Sequence, residues 1–148
     1  MATVNVYLTF DGNCEEAFNF YHSVFGGEIP YMGRFGDMPP QEGIPPLDES
    51  AKNRIMHVSL PISEETMLMG SDTMPGTEAL VAGSNFSLSL NANSREEAQA
   101  LFDKLSAGGE VTMPLQDTFW GAFFGMWKDR FGISWMVNYD DPATVQPH

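Results

Sequence analysis

Val4, Val6, Leu8 and Phe10 alternate with Asn5, Tyr7 and Thr9, and this period of two predicts a half-buried strand. A polar break follows, with Asn13 placed as a helix cap and Glu15 and Glu16 in the first turn, where carboxylates suit the helix dipole. Ala17, Phe20, Tyr21 and Val24 then recur at helical spacing, and Gly26-Gly27 supplies the left-handed residue that stops a helix. About eighty residues later the pattern returns. Phe86, Leu88 and Leu90 alternate with Ser87 and Ser89, Ser94 stands as the cap, Ala98, Leu101, Phe102 and Leu105 form the stripe, and Gly108-Gly109 ends it. The remainder of each copy reads as three strands, 28–35, 54–62 and 65–71 in the first and 109–114, 121–128 and 132–139 in the second. The order β-α-β-β-β therefore occurs twice. Two copies at this spacing are too few and too long for a solenoid, which leaves a duplicated module inside one domain.

Two stretches interrupt the pattern. Residues 36–53 hold four prolines and two glycines and read as a long loop, placed as a lid over the entrance to a cleft. Module one is expected over 1–72, a linker over 73–84, module two over 85–140, and a flexible tail over 141–148.

Composition narrows the function. At 148 residues the chain suits one domain and can bury roughly two-thirds of its unfolded surface, and 43% hydrophobic content supports a packed core. With 7 Lys and Arg against 20 Asp and Glu, a net charge of −13 argues against nucleic acid and against an anionic membrane surface. The lone Cys14 excludes an intrachain disulfide framework and a cysteine zinc cluster. No signal peptide or membrane-spanning run is expected, so a soluble cytoplasmic protein is the default.

Several residues carry candidate chemistry, each beside a plain structural alternative. His57 lies mid-strand and is either a cleft-lining acid/base group near neutral pH or a satisfied histidine on one strand face. Tyr7 points away from the first helix, where its hydroxyl would orient a ligand or simply find a packing partner. Cys14 opens a helix, which favours thiolate, but Glu15 and Glu16 oppose it and no histidine is near in sequence. The aromatic run from Phe119 to Trp127 is either a pocket wall or a core strand with a dimer contact, with Trp120 as its ligand-facing member. Met67, Met69, Met113, Met126 and Met136 offer a deformable lining or ordinary core. Phosphate loops, dinucleotide fingerprints, nucleophile elbows and HExxH helices are absent from the sequence.

Five segments in order carry a resemblance: Tyr7-Leu8-Thr9-Phe10-Asp11-Gly12-Asn13-Cys14-Glu15-Glu16-Ala17, Phe35-Gly36-Asp37-Met38-Pro39, Leu68-Met69-Gly70-Ser71-Asp72, Asp117-Thr118-Phe119-Trp120-Gly121, and the run Asp129-Arg130-Phe131-Gly132-Ile133-Ser134-Trp135-Met136-Val137-Asn138. They span nearly the whole chain, which resembles the PhnB-like group of the vicinal oxygen chelate superfamily of glyoxalase I, bleomycin-resistance proteins and extradiol dioxygenases. The resemblance implies an α+β fold of two βαβββ modules forming a curled, partly open barrel around a cleft, in a single glyoxalase-like domain over 1–140 that assembles as a homodimer. Enzymes of that superfamily hold a metal on the first and last strands of each module, commonly with His and Glu. Carried over by strand parity, those positions fall on Asn5, on Met67 or Met69, on Asn85 and on Met136. Neutral amides and thioethers are poor ligands for a hard or borderline dication, so no metal and no cofactor are expected.

The sequence thus points to a small-molecule binding protein whose ligand is unknown. The residues expected to line its site are Asn5, Tyr7, His57, Met69, Asn85, Ser87, Trp120 and Met136. The rival readings are a metal-independent lyase or isomerase using His57 or Tyr7 as acid/base, and a structural or regulatory dimer without a ligand.

Overall fold

The computed structural model describes residues 2, 4–39, 47–74 and 79–143. In chain order the elements are β1 (Val6–Phe10), α1 (Cys14–Phe25), β2 (Tyr31–Arg34), α2 (Glu49–Asn53), β3 (Ile55–Pro61), β4 (Met67–Asp72), β5 (Leu88–Asn91), α3 (Arg95–Ser106), β6 (Glu110–Asp117), β7 (Ala122–Lys128) and β8 (Ser134–Asp140). The chain divides into two compact units, Met1–Val81 and Ala82–His148, and the division falls within the predicted linker. Each unit carries one four-stranded sheet, β1-β4-β3-β2 in the first and β5-β8-β7-β6 in the second. In both, the first and last strands pair parallel and the other neighbours pair antiparallel. The repeated pattern is therefore a repeated topology, and the α+β class with two βαβββ modules stands.

The helix of each unit packs over a glycine. In α1 the buried face is Cys14, Ala17, Phe18 and Tyr21, a spacing of i, i+3, i+4 and i+7. Phe18, not the expected Phe20, belongs to this face, because its ring lies on Gly70 of β4, where a Cβ would stand 2.7 Å from Cε2. That ring also meets Phe10 and Tyr21 edge-on at 6.3 and 5.6 Å. In α3 Ala98 and Leu105 are buried and Phe102 lies on Gly125 of β7 at 3.0 Å. Phe102 meets Trp127 edge-on at 5.4 Å, and Trp127 stacks on Trp135 at 6.4 Å. Each such fully buried aromatic contributes about 1.5–3 kcal/mol by removal from water.

The caps differ between the units. Ser94 accepts from Glu97 N at 3.0 Å, as its position predicts, and the Glu97 side chain accepts from Asn93 N, one residue before the cap, at 3.1 Å. Asn13 makes no side-chain cap. Its work is done by Asp72 at the end of β4, whose Oδ1 accepts from Gly12 N (2.8 Å) and Cys14 N (3.0 Å) while Oδ2 accepts from Ile55 N (2.8 Å). Unit two holds a second buried carboxylate, Asp129. It accepts from Phe131 N, Ile133 N and Trp135 Nε1 at 2.8–3.0 Å, which explains why the run from Asp129 to Trp135 reads as a motif.

Two expectations change. Residues 36–53 are not plain loop: Phe35–Asp37 forms a 3-10 turn, and Asp48 caps α2 by accepting from Ala51 N at 2.7 Å. Residues 40–46, the middle of the expected lid, lie outside the described residues, as do 144–148 of the expected tail. The second module's first strand begins at Leu88, and Phe86, expected to face the helix, is 58% exposed. No helix among the described residues is long and apolar enough to cross a membrane.

Candidate functional site

Strand parity in unit one turns Leu8, Val58, Leu60 and Leu68 toward α1 and the core. The opposite face therefore carries Tyr7, Ser59, His57, Met69 and Tyr31. Register places Tyr7 opposite Met69, Met69 opposite Ser59, and Ser59 opposite Tyr31, a continuous row across β1, β4, β3 and β2. His57 stands two residues before Ser59, and both tyrosines lean toward it. Tyr7 reaches across β4 so that its hydroxyl and His57 Nδ1 share a hydrogen bond of 3.3 Å, with the imidazole tautomer deciding the donor. The ring centroids lie 5.7 Å apart for Tyr7 and His57 and 6.0 Å for Tyr31 and His57, with tilts of 30° and 36°. Two phenols thus converge on one imidazole, and both tyrosines are about half exposed.

No lysine or arginine of unit one joins this face. Arg34 forks onto Glu15 at 3.0 and 2.7 Å, and that guanidinium holds the Glu15 carboxyl below its ordinary range. Arg54 binds Asp11 at 3.1 Å together with the carbonyl and hydroxyl of Thr73, and Lys52 pairs with Glu49 at 3.5 Å. All three cations of the unit are engaged by carboxylates, on α1, within α2 and on the turn before α1.

The corresponding row of unit two is Ser89, Met136, Met126 and Met113, read off the same register. Where His57 stands in unit one, unit two has Phe124, two residues before Met126, and Trp120 lies against it at 6.2 Å. Phenol and imidazole chemistry in one module is replaced by thioether and aromatic carbon in the other.

The expected site residues separate into those the fold gathers and those it does not. Tyr7, His57 and Met69 share one face of unit one. Met136 lies in the methionine row, and Trp120 sits in the turn before β7, not on the strand. Asn5 precedes β1 and is exposed. Asn85 and Ser87 precede β5, so the parity drawn from Phe86 does not hold for them, and the residue in register with Met136 is Ser89. Tyr31, Ser59 and Ser89 were not foreseen. Tyr31 and Gly33 share one face of β2, alternating with Met32, and pairing that strand with the one holding His57 carries the signal for Tyr31.

Cys14 is fully buried, and that burial, followed by the nearby Asp72 and Glu15 charges, pushes its thiol well above the ordinary range. The helix start does not make it a nucleophile.

The residues that the resemblance assigned to metal positions, Asn5, Met67 or Met69, Asn85 and Met136, carry only neutral amides and thioethers, a donor set that suits a hard or borderline dication poorly, and His57 is a lone imidazole on its face. Among the described residues, no group of three His, Cys, Asp or Glu side chains is gathered to hold an ion.

Comparison with known proteins places the chain. The family model for the Glyoxalase/Bleomycin resistance protein/Dioxygenase superfamily matches residues 3–137. Protein YjdN of Escherichia coli is 36% identical over 137 residues, covering 89% of this chain and 91% of YjdN. Among solved structures, protein PA1353 from Pseudomonas aeruginosa is 44% identical with a TM-score of 0.82, covering 95% of this chain and 98% of that one. The PhnB protein from Bacillus cereus is 25% identical with a TM-score of 0.70, covering 93% and 99%. The duplicated topology, the matched span and these relatives agree: the chain belongs to the glyoxalase/bleomycin resistance protein/dioxygenase superfamily, with PhnB-like proteins among its relatives.

Proposed function

We propose that this protein binds a small molecule and does so without the superfamily's metal. The observation that carries the reading is the convergence of Tyr7 and Tyr31 on His57 beside Met69, on a sheet face whose flanking cations are all engaged elsewhere. Half-exposed rings with a few polar atoms among them are what small-molecule sites are made of. The strongly acidic chain favours neutral or cationic ligands over anions. Screening neutral and cationic aromatic fragments against the full chain, with the His57 ring resonances as readout, is expected to yield saturable shifts that His57→Ala abolishes for the same compounds in a ligand-detected experiment. A parallel melting scan with Zn²⁺, Ni²⁺ and Mn²⁺ is expected to show no saturable stabilisation. Stoichiometric metal that is lost on Asn5→Ala or Asn85→Ala would restore a metal site.

The Tyr7–His57 hydrogen bond favours a second reading, a metal-independent lyase or isomerase in which His57 moves a proton. Turnover that disappears in a folded His57→Ala variant separates it from binding alone. For assembly we propose a homodimer, since Val111, Met113 and Phe119 around β6 are exposed apolar side chains. Sedimentation at tens of micromolar, on the order of weak-dimer affinities, is expected to give twice the chain mass, and a monomer there removes the proposal.

A further inference from the structure

Gly33 and Tyr31 form a close contact on this face. Tyr31 opens the short edge strand β2, yet its ring folds back along the strand. Its Cζ lies 2.8 Å from where a Cβ on residue 33 would stand, and its hydroxyl is closer still. Gly33 is buried and pairs with His57, so the phenol rests in a notch with backbone for a floor and the imidazole for a wall. The ring is nonetheless 50% exposed, and its hydroxyl has no hydrogen-bond partner among the described residues. Beyond the half of its surface that is buried, a tilted ring contact of this kind adds only about 0.5–1.5 kcal/mol. The arm is weakly held.

We infer that Tyr31 is a displaceable arm, and that the notch between Gly33 and His57 is the subsite for a flat, uncharged ring of phenol size. This rests on the proposal that the Tyr7–His57–Tyr31 face binds a small molecule. The Tyr31 ring lying over Gly33 is the template for such a group. Tyr7 and Met69 continue the surface beyond it and offer a ring and a thioether to the rest of the ligand. No cation of unit one reaches this face to hold a carboxylate or phosphate on that ring. Gly33 is the specificity-determining residue, because any Cβ there fills the notch.

The test uses p-cresol, the tyrosine side chain without its backbone, and the full chain. Tyr31→Ala empties the notch, and p-cresol is expected to shift the His57 ring resonances saturably, about tenfold more tightly than in the native chain, as for a site open only about a tenth of the time. Adding Gly33→Ala to that variant is expected to abolish the shift. The anionic analogue p-hydroxyphenylacetate is expected to bind more weakly than p-cresol. Gly33→Ala alone supplies a check that needs no Tyr31 variant: nuclear Overhauser contacts between the Tyr31 and His57 rings disappear while the melting temperature changes little. Binding of p-cresol indifferent to residues 31 and 33, or retention of those ring contacts in Gly33→Ala, overturns the notch. If other fragments still shift His57 in that case, the binding face survives without it. If nothing shifts His57 in any variant, both readings fall.

Discussion

Replacing Asp72 by alanine is expected to remove about 3–5 kcal/mol of folding stability, a large share of what a domain of this size possesses. The carboxylate is 4% exposed and accepts three backbone N–H groups, from Gly12, Cys14 and Ile55. Alanine leaves all three donors unsatisfied, each at about 1–3 kcal/mol, with some relief where water enters. The loss is not local, since these donors belong to the turn before α1 and to the start of β3. Asp72→Asn keeps one acceptor but points an amide NH₂ at backbone donors, so an intermediate loss of about 2 kcal/mol is expected. Urea unfolding measures both. A loss below about 1 kcal/mol for the alanine variant would mean that solvent, not Asp72, satisfies these groups.

Gly70→Ala is the second large effect, at about 2–3 kcal/mol. The added methyl would stand 2.7 Å from the Phe18 ring and 2.8 Å from the carbonyl oxygen of Leu8. The ring can rotate, but the carbonyl belongs to the β1 backbone paired with β4 and can move only with its strand. Phe18→Leu in the same chain is therefore expected to restore part of the loss and not all of it. Gly125→Ala is expected to cost less, since its closest contacts, with the Leu115 Cα and the Phe102 ring, are 3.0 Å. Equal losses at the two positions would show that the Leu8 carbonyl yields more easily than a paired strand should. Chemical denaturation of the single and double variants separates these outcomes.

Local chemistry was legible in the chain and distant chemistry was not. Ser94 and Glu97 cap α3 from within four residues, so their roles can be read from spacing. Asp72 caps the start of α1 from the far end of the module, and no local pattern announces that. Parity on β1 located Tyr7 correctly because Leu8 and Phe10 are both buried. The same argument failed just before β5, where Phe86 is exposed and pairing starts only at Leu88. Tyr31 went unseen because the ring's fold-back onto Gly33 depends on strand pairing, whereas alternation reports only which side a residue leaves from. Recognition of the family rested on turn and cap residues such as Asp72 and Asp129, whose structural work keeps them legible.

Parallel pairing of β1 with β4 has a consequence for the order of events at the ribosome. Within the unit β1 and α1 are made before β2 and β3, but β4, the strand that β1 pairs with among the described residues, is made after them all. The same late strand ends in Asp72, so the turn into α1 lacks its acceptor until that residue emerges. Nascent chains ending before β4 are therefore expected to hold β1 without its strand partner and the start of α1 without its acceptor, a state that invites chaperone binding. Arrival of β4 supplies both at once, after most of the unit's sequence has already been translated.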